Sequence, residues 1–126
     1  MIIKTKKFDR WARKIGLVDA LLCHAVEEML KGLIDADLGG GVYKKRVALP
    51  GKGKSGSART LLATNRQDRW FFVFGFEKND RANISTKELE ALQLLADDLL
   101  SMKEEQIRQA IVDGALLGVN YEKTNE

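Results

Sequence analysis

The chain has 126 residues, 44% of them hydrophobic, with 21 Lys and Arg against 18 Asp and Glu, one Cys and one His. That length suits one domain spanning residues 1–126, with a single core, and the apolar content excludes a disordered chain. The lone Cys23 excludes an internal disulfide framework, no apolar run reaches the length of a membrane span, and MIIKTKKFDRW lacks the apolar stretch of a signal peptide, so a cytoplasmic protein is expected.

Met1 to Thr5 is short and partly β-branched, which predicts an edge strand. Phe8, Trp11 and Ile15 recur at helical spacing, predicting a short amphipathic helix over 9–14 that Gly16 ends. In the next segment Leu17, Leu21, Leu22, Ala25, Val26, Met29 and Leu33 share one side of a helix, with Asp19, Glu27, Glu28 and Lys31 on the other. The two helices form an αα-hairpin in this reading. Cys23 sits at the edge of the apolar stripe with no CxxC partner, so it reads as a small core residue. His24 lies on the polar side beside Glu28 and Lys31, shares that side with no nucleophile or second ligand, and reads as a solvated surface histidine. No cluster of Cys and His suggests a metal site.

Leu38-Gly39-Gly40-Gly41 breaks the helical pattern. Strands are predicted over Tyr43–Leu49, Ala58–Thr64 and Trp70–Phe76, the last two joined as a hairpin by Asn65-Arg66-Gln67-Asp68. The run Trp70, Phe71, Phe72, Val73, Phe74 and Phe76 suits a central strand covered on both faces. Ser85 with Glu88 forms a capping box ahead of a helix carrying Leu89, Leu92, Leu95, Ala96, Leu99 and Met102. Ser101 with Glu104 reads as a second box, opening a last helix with Ile107, Ala110 and Ile111 that Gly114 stops. Residues 119–126 read as a frayed polar tail. The fold class is therefore α+β: a helical hairpin, an antiparallel sheet, then C-terminal helices.

Charge is unevenly spread. Residues 42–78 carry 9 basic and 2 acidic side chains, whereas residues 82–126 carry 4 basic and 9 acidic. The centre of the basic part is Val42 to Arg59, VYKKRVALPGKGKSGSAR, with six Lys or Arg and no carboxylate. Strand alternation puts Lys44 and Arg46 on one face, about 7 Å apart, with Tyr43, Lys45 and Val47 on the other. Arg59 begins the neighbouring strand and Lys78 leaves the next, so several cations converge on one patch suited to phosphate. The loop Gly51-Lys52-Gly53-Lys54-Ser55-Gly56 is not a nucleotide-binding P-loop, because Ala48 stands where that motif needs glycine and because the loop joins two strands. It fits a basic loop gripping RNA backbone, or a solvated hairpin loop.

These segments carry a resemblance. FDRWARKIGL, DADLGGGVYKKRVALPGKGKSGSAR, FVFGFEKNDRANI and the helix from Thr86 to Leu100 are similar to the RelE/HigB superfamily of bacterial type II toxin–antitoxin toxins. The loop signature YKxRxxxxGxGKxGxxR is the most specific part, and the likeness covers most of the chain. It implies the RelE-like fold: a helical hairpin, an antiparallel sheet and a C-terminal helix packed on it. It also implies an endoribonuclease that cuts mRNA on the ribosome through attack of a 2′-hydroxyl on the adjacent phosphodiester, with no metal or cofactor. A cognate antitoxin, often with a helix-turn-helix domain, is implied as partner, and no membrane.

The resemblance assigns roles to Lys44 as general base and to Arg46 and Arg59 as stabilisers of charge on the phosphate. Lys78 falls in the short motif where further catalytic side chains occur, and Lys45, Lys52 and Lys54 would bind RNA backbone. Some members carry tyrosine, or histidine and aspartate, after the last strand, where this chain has Asn79, Asp80, Arg81, Asn83 and Ser85. The general acid is then Lys78 or a group of the ribosome, with Asp80 an alternative that would otherwise pair with Arg81 or cap the turn. The related ParE branch poisons gyrase on the same scaffold, so the competing reading is a non-catalytic binding protein. The convergent Lys44, Arg46 and Arg59 favour the nuclease.

Overall fold

The computed structural model describes residues 1–51 and 56–119. In chain order these form β1 (Ile2–Thr5), α1 (Lys6–Ile15), α2 (Asp19–Leu30), β2 (Ala36–Gly39), β3 (Val42–Ala48), β4 (Ser57–Thr64), β5 (Trp70–Glu77), α3 (Thr86–Leu100), α4 (Glu104–Val112) and β6 (Leu116–Gly118). The class is α+β as expected, with one six-stranded sheet in the order β2-β3-β4-β5-β1-β6.

The aromatic run organises the core. β5 lies between β4 and β1, and its Trp70, Phe71, Phe72, Val73 and Phe76 are all buried. Because neighbouring strand residues point to opposite faces, Phe72 and Leu62 join one core while Phe71 and Leu61 join the other. The first core is closed by Phe8 and Ala12 of α1 with Leu22, Val26 and Met29 of α2. The second is closed by Leu92, Ala96 and Leu99 of α3 with Ile107 of α4. α1 rests mainly on β5 and α2 on β3, so each N-terminal helix finds its main partner in the sheet rather than in the other helix.

Two strand expectations are corrected. β1 is not an edge strand, and the sheet is not purely antiparallel: Ile3 pairs in parallel with Phe71 on one side and antiparallel with Gly118 of β6 on the other. After α4, the positive φ of Gly114 (83°) turns the chain so that Leu116–Gly118 covers the outer side of β1. β2 also forms, pairing Ala36 with Lys44 and Asp37 with Tyr43.

Helix ends follow local chemistry. α1 starts at Lys6, three residues before the expected boundary, because the Thr5 hydroxyl accepts the Phe8 N–H at 3.2 Å. Lys4 then ties β1 to both N-terminal helices, its Nζ 2.7 Å from Asp9 and 2.8 Å from Asp19. The Ser85–Glu88 capping box forms, with Glu88 N–H donating to Ser85 Oγ at 3.1 Å and Ser85 N–H to Glu88 at 2.8 Å. The Ser101–Glu104 box does not. α3 runs on to Leu100, so Ser101 is spent at its C-terminus, its hydroxyl donating to the Asp98 carbonyl at 3.1 Å. α4 begins after Lys103, whose N–H donates to the Gln106 side chain at 2.7 Å. Gly75 in β5 is required by contact: a Cβ there would lie 2.1 Å from the Trp11 ring of α1.

Candidate functional site

The site is built on the β3–β4 hairpin. Antiparallel register sets Arg46 directly opposite Arg59 and Lys44 opposite Leu61. Side chains so paired stand roughly 5 Å apart at Cβ, and like charges there repel. Two polar neighbours organise the pair. The Ser57 hydroxyl, two residues along β4 on the same face, accepts from Arg59 Nη1 at 2.7 Å. Asp35, just before β2, accepts the Arg46 N–H on a carboxylate oxygen at 2.6 Å, while its own N–H donates to the Lys44 carbonyl at 3.0 Å.

β2 pairs with β3 only as far as Lys44, so the next stretch of β3 has no strand on that side among the described residues. Two adjoining hollows open there. The smaller, about 220 Å³, is lined by Asp35, Lys44, Arg46 and Arg59. The larger, about 730 Å³, is walled by α2 through His24 and Glu28 and by the sheet side through Arg46, Ser57, Arg59 and Lys78. Leu21, Ala25 and Val47 supply its apolar surface. The two arginines border both hollows, Lys44 only the smaller and Lys78 only the larger. None of Lys44, Arg46, Arg59 and Lys78 forms an ion pair with the described residues. A cluster of cations whose side chains form no ion pair with the described residues suits an anion from outside, and paired guanidiniums suit the oxygens of a phosphodiester.

The structure thus brings together the four cations singled out for catalysis. It corrects Lys45, expected on the RNA-binding surface. Lys45 is only 6% exposed, its Nζ lies 2.8 Å from Glu28 and it donates to the Leu33 carbonyl at 3.0 Å. Alternation turns it under α2, where its ammonium is consumed internally. Its hydrogen bond holds the Glu28 carboxyl below the usual carboxylate range against partial desolvation, and His24 adds to that effect. Lys52 and Lys54 lie outside the described residues, as does the tail from residue 120. Arg81 pairs with Glu88 rather than Asp80, at 2.9 Å through Nη1, and its guanidinium lies over Phe74 and Phe76. Cys23 is buried, and burial pushes its thiol up, away from the thiolate a nucleophile needs.

His24 is exposed, as read from the helical pattern, and the structure adds that it borders the larger cleft. The signal available in sequence was the combination of His24 and Glu28 one turn apart with an inward-pointing Lys45. Asp35 and Ser57 were missed because their roles depend on strand pairing. Among the described residues no group of three or more His, Cys, Asp or Glu gathers as a metal site requires.

A family model described as "RelE toxin of RelE / RelB toxin-antitoxin system" matches residues 1–119. The chain belongs to the RelE toxin family. No curated protein matches it. The RelE match spans every element from β1 to β6 and includes all four cations of the cleft. Membership makes the chain a toxin of a toxin–antitoxin system and implies an antitoxin as partner. No described helix is long and apolar enough to cross a membrane.

Proposed function

We propose that this RelE family toxin is an mRNA endoribonuclease acting on the ribosome. The observation that carries the reading is the register of Arg46 against Arg59, with Lys44 and Lys78 beside them and no internal carboxylate paired to any of their side chains among the described residues. The two guanidiniums would hold the scissile phosphate and stabilise the charge that grows on its oxygens. Lys44 is the candidate base for the 2′-hydroxyl, and Lys78 would add positive charge in the larger cleft. The product would be a cyclic phosphate. In this reading the chain is a single RelE-like domain of the cytoplasm, close to the HigB branch. Its antitoxin, with a helix-turn-helix domain, would neutralise the basic cleft.

The test is induced expression in a bacterial host of the wild type beside the Lys44→Ala, Arg46→Ala, Arg59→Ala variant, with mRNA 5′ ends mapped within minutes. Growth arrest with new cuts inside translated codons, both lost in the soluble variant, supports the ribonuclease. Arrest without cuts supports a binding poison of gyrase or another target.

A further inference from the structure

We infer that Ser57 is a positioning residue for the cleavage: its hydroxyl turns the Arg59 guanidinium so that the two-pronged edge is offered to the scissile phosphate. This rests on the ribonuclease reading above. Ser57 and Arg59 stand two residues apart on β4, so their side chains share one face, the face that also carries Arg46. Ser57 is 8% exposed, whereas Arg59 is half-buried. Arg59 Nη1 donates to the Ser57 hydroxyl at 2.7 Å and, more weakly, to the Ser57 carbonyl at 3.4 Å. The arginine side chain is thereby drawn back along β4 toward the loop end of the hairpin.

Both bonds come from one nitrogen. A guanidinium grips phosphate best through two parallel N–H groups, and Nε with Nη2 forms such an edge. Among the described residues no group accepts from Arg59 Nε or Nη2. Ser57 therefore takes the nitrogen that the grip does not need. Its hydroxyl is neutral, so it directs the charge without cancelling it, as a carboxylate at the same place would. The need for a tether comes from Arg46, which stands directly opposite Arg59, where like charges repel. An untethered arginine would spread over many rotamers and swing away from that charge. Arg46 has no matching tether: among the described residues its guanidinium donates to no group, and Asp35 accepts only its backbone N–H. Arg59 is thus set before substrate arrives, and Arg46 adapts to what is bound.

The consequence is a split between rate and affinity. Removing the Ser57 hydroxyl leaves every cation of the cleft in place, so the attraction for RNA backbone is retained. A donor fixed in advance stabilises charge that grows in the transition state without reorganising at the moment of reaction. A guanidinium that must first be recruited from other rotamers loses that advantage, and the loss falls on the chemical step.

The experiment uses the purified full chain, ribosomes and a synthetic mRNA. Single-turnover cleavage is measured for wild type, Ser57→Ala, Ser57→Thr, Arg59→Ala and the Ser57→Ala, Arg59→Ala double variant. Affinity is measured in parallel on the same mRNA with a 2′-deoxy sugar at the mapped cut. Ser57→Ala should slow cleavage by roughly 10–100-fold while affinity changes by less than about threefold. Ser57→Thr keeps the hydroxyl and should cut nearly as fast as wild type. In the Arg59→Ala background, Ser57→Ala should cost less than about threefold more, because no guanidinium is left to direct. An equal loss in both backgrounds would mean that Ser57 does not act through Arg59, and a loss carried by affinity would make it an RNA contact instead; either overturns the inference. So does a Ser57→Thr variant as slow as Ser57→Ala with an unchanged melting curve. A wild type that does not cut sinks the ribonuclease reading and this inference with it, whereas a cutting wild type with an equally fast Ser57→Ala sinks this inference alone.

Discussion

Arg59 shows how a side chain can be held and still be available. Its guanidinium is half-buried and donates to the Ser57 hydroxyl at 2.7 Å, which fixes its direction without neutralising it. Arg59→Ala removes one such bond and also relieves repulsion from Arg46, so it should cost about 1 kcal/mol of stability at most. In the proposed reaction it should cost roughly 2–4 kcal/mol of transition-state stabilisation, read as cleavage rate against an unchanged melting curve. A variant that fails to fold would make Arg59 structural. Lys45 is the converse case. Lys45→Met keeps the aliphatic stem but strands the Glu28 carboxylate, and because Glu28 is partly solvated the expected loss is about 1–3 kcal/mol in chemical denaturation. The salt dependence of RNA binding should not change in that variant; a flatter dependence would return Lys45 to the RNA surface.

At the scale of elements, the start of α3 carries the most pH-sensitive contact. Arg81 forks onto Glu88, which also closes the capping box with Ser85, and the Arg81 hydrogen bond followed by the Ser85 backbone brings the Glu88 carboxyl to about 2. A carboxyl depressed in the folded state contributes its stabilisation in full above its unfolded value of 4.5, and loses it as pH falls through about 2. Wild type and Glu88→Gln should therefore differ in melting temperature at pH 6 and converge as pH falls from 4.5 toward 2. A difference that stays constant over that range would mean the ion pair is not what anchors α3. The contact matters to the site because Arg81 and Lys78 share the turn that follows β5.

The whole molecule separates its charge by surface. The basic middle of the chain gathers toward the loop end of the β3–β4 hairpin, where Lys44, Arg46, Arg59 and Lys78 meet. Each phosphate neutralised on single-stranded RNA releases counterions, so these four cations should together contribute about −3 to the slope of log affinity against log salt. The Lys44→Ala, Arg46→Ala, Arg59→Ala variant should lose about 2 of that slope. A slope unchanged by the three substitutions would place the RNA elsewhere on the surface.

Periodicity and composition by themselves determined the α+β class, the central position of the β5 aromatics, the capped start of α3, and the shared strand face of Lys44 and Arg46. Those features follow from local alternation, helical spacing and capping chemistry, which need no knowledge of distant neighbours. Tertiary structure alone decided that β1 runs parallel to β5 under the cover of β6, that Ser101 ends a helix instead of starting one, and that Lys45 faces Glu28 rather than solvent. It also decided that His24 borders the same cleft as Arg46 and Arg59. The reason is the same in each case: a strand's partner, the length to which a helix runs, and the helix that covers a given face depend on contacts between segments far apart in the chain. No window of neighbouring residues contains them.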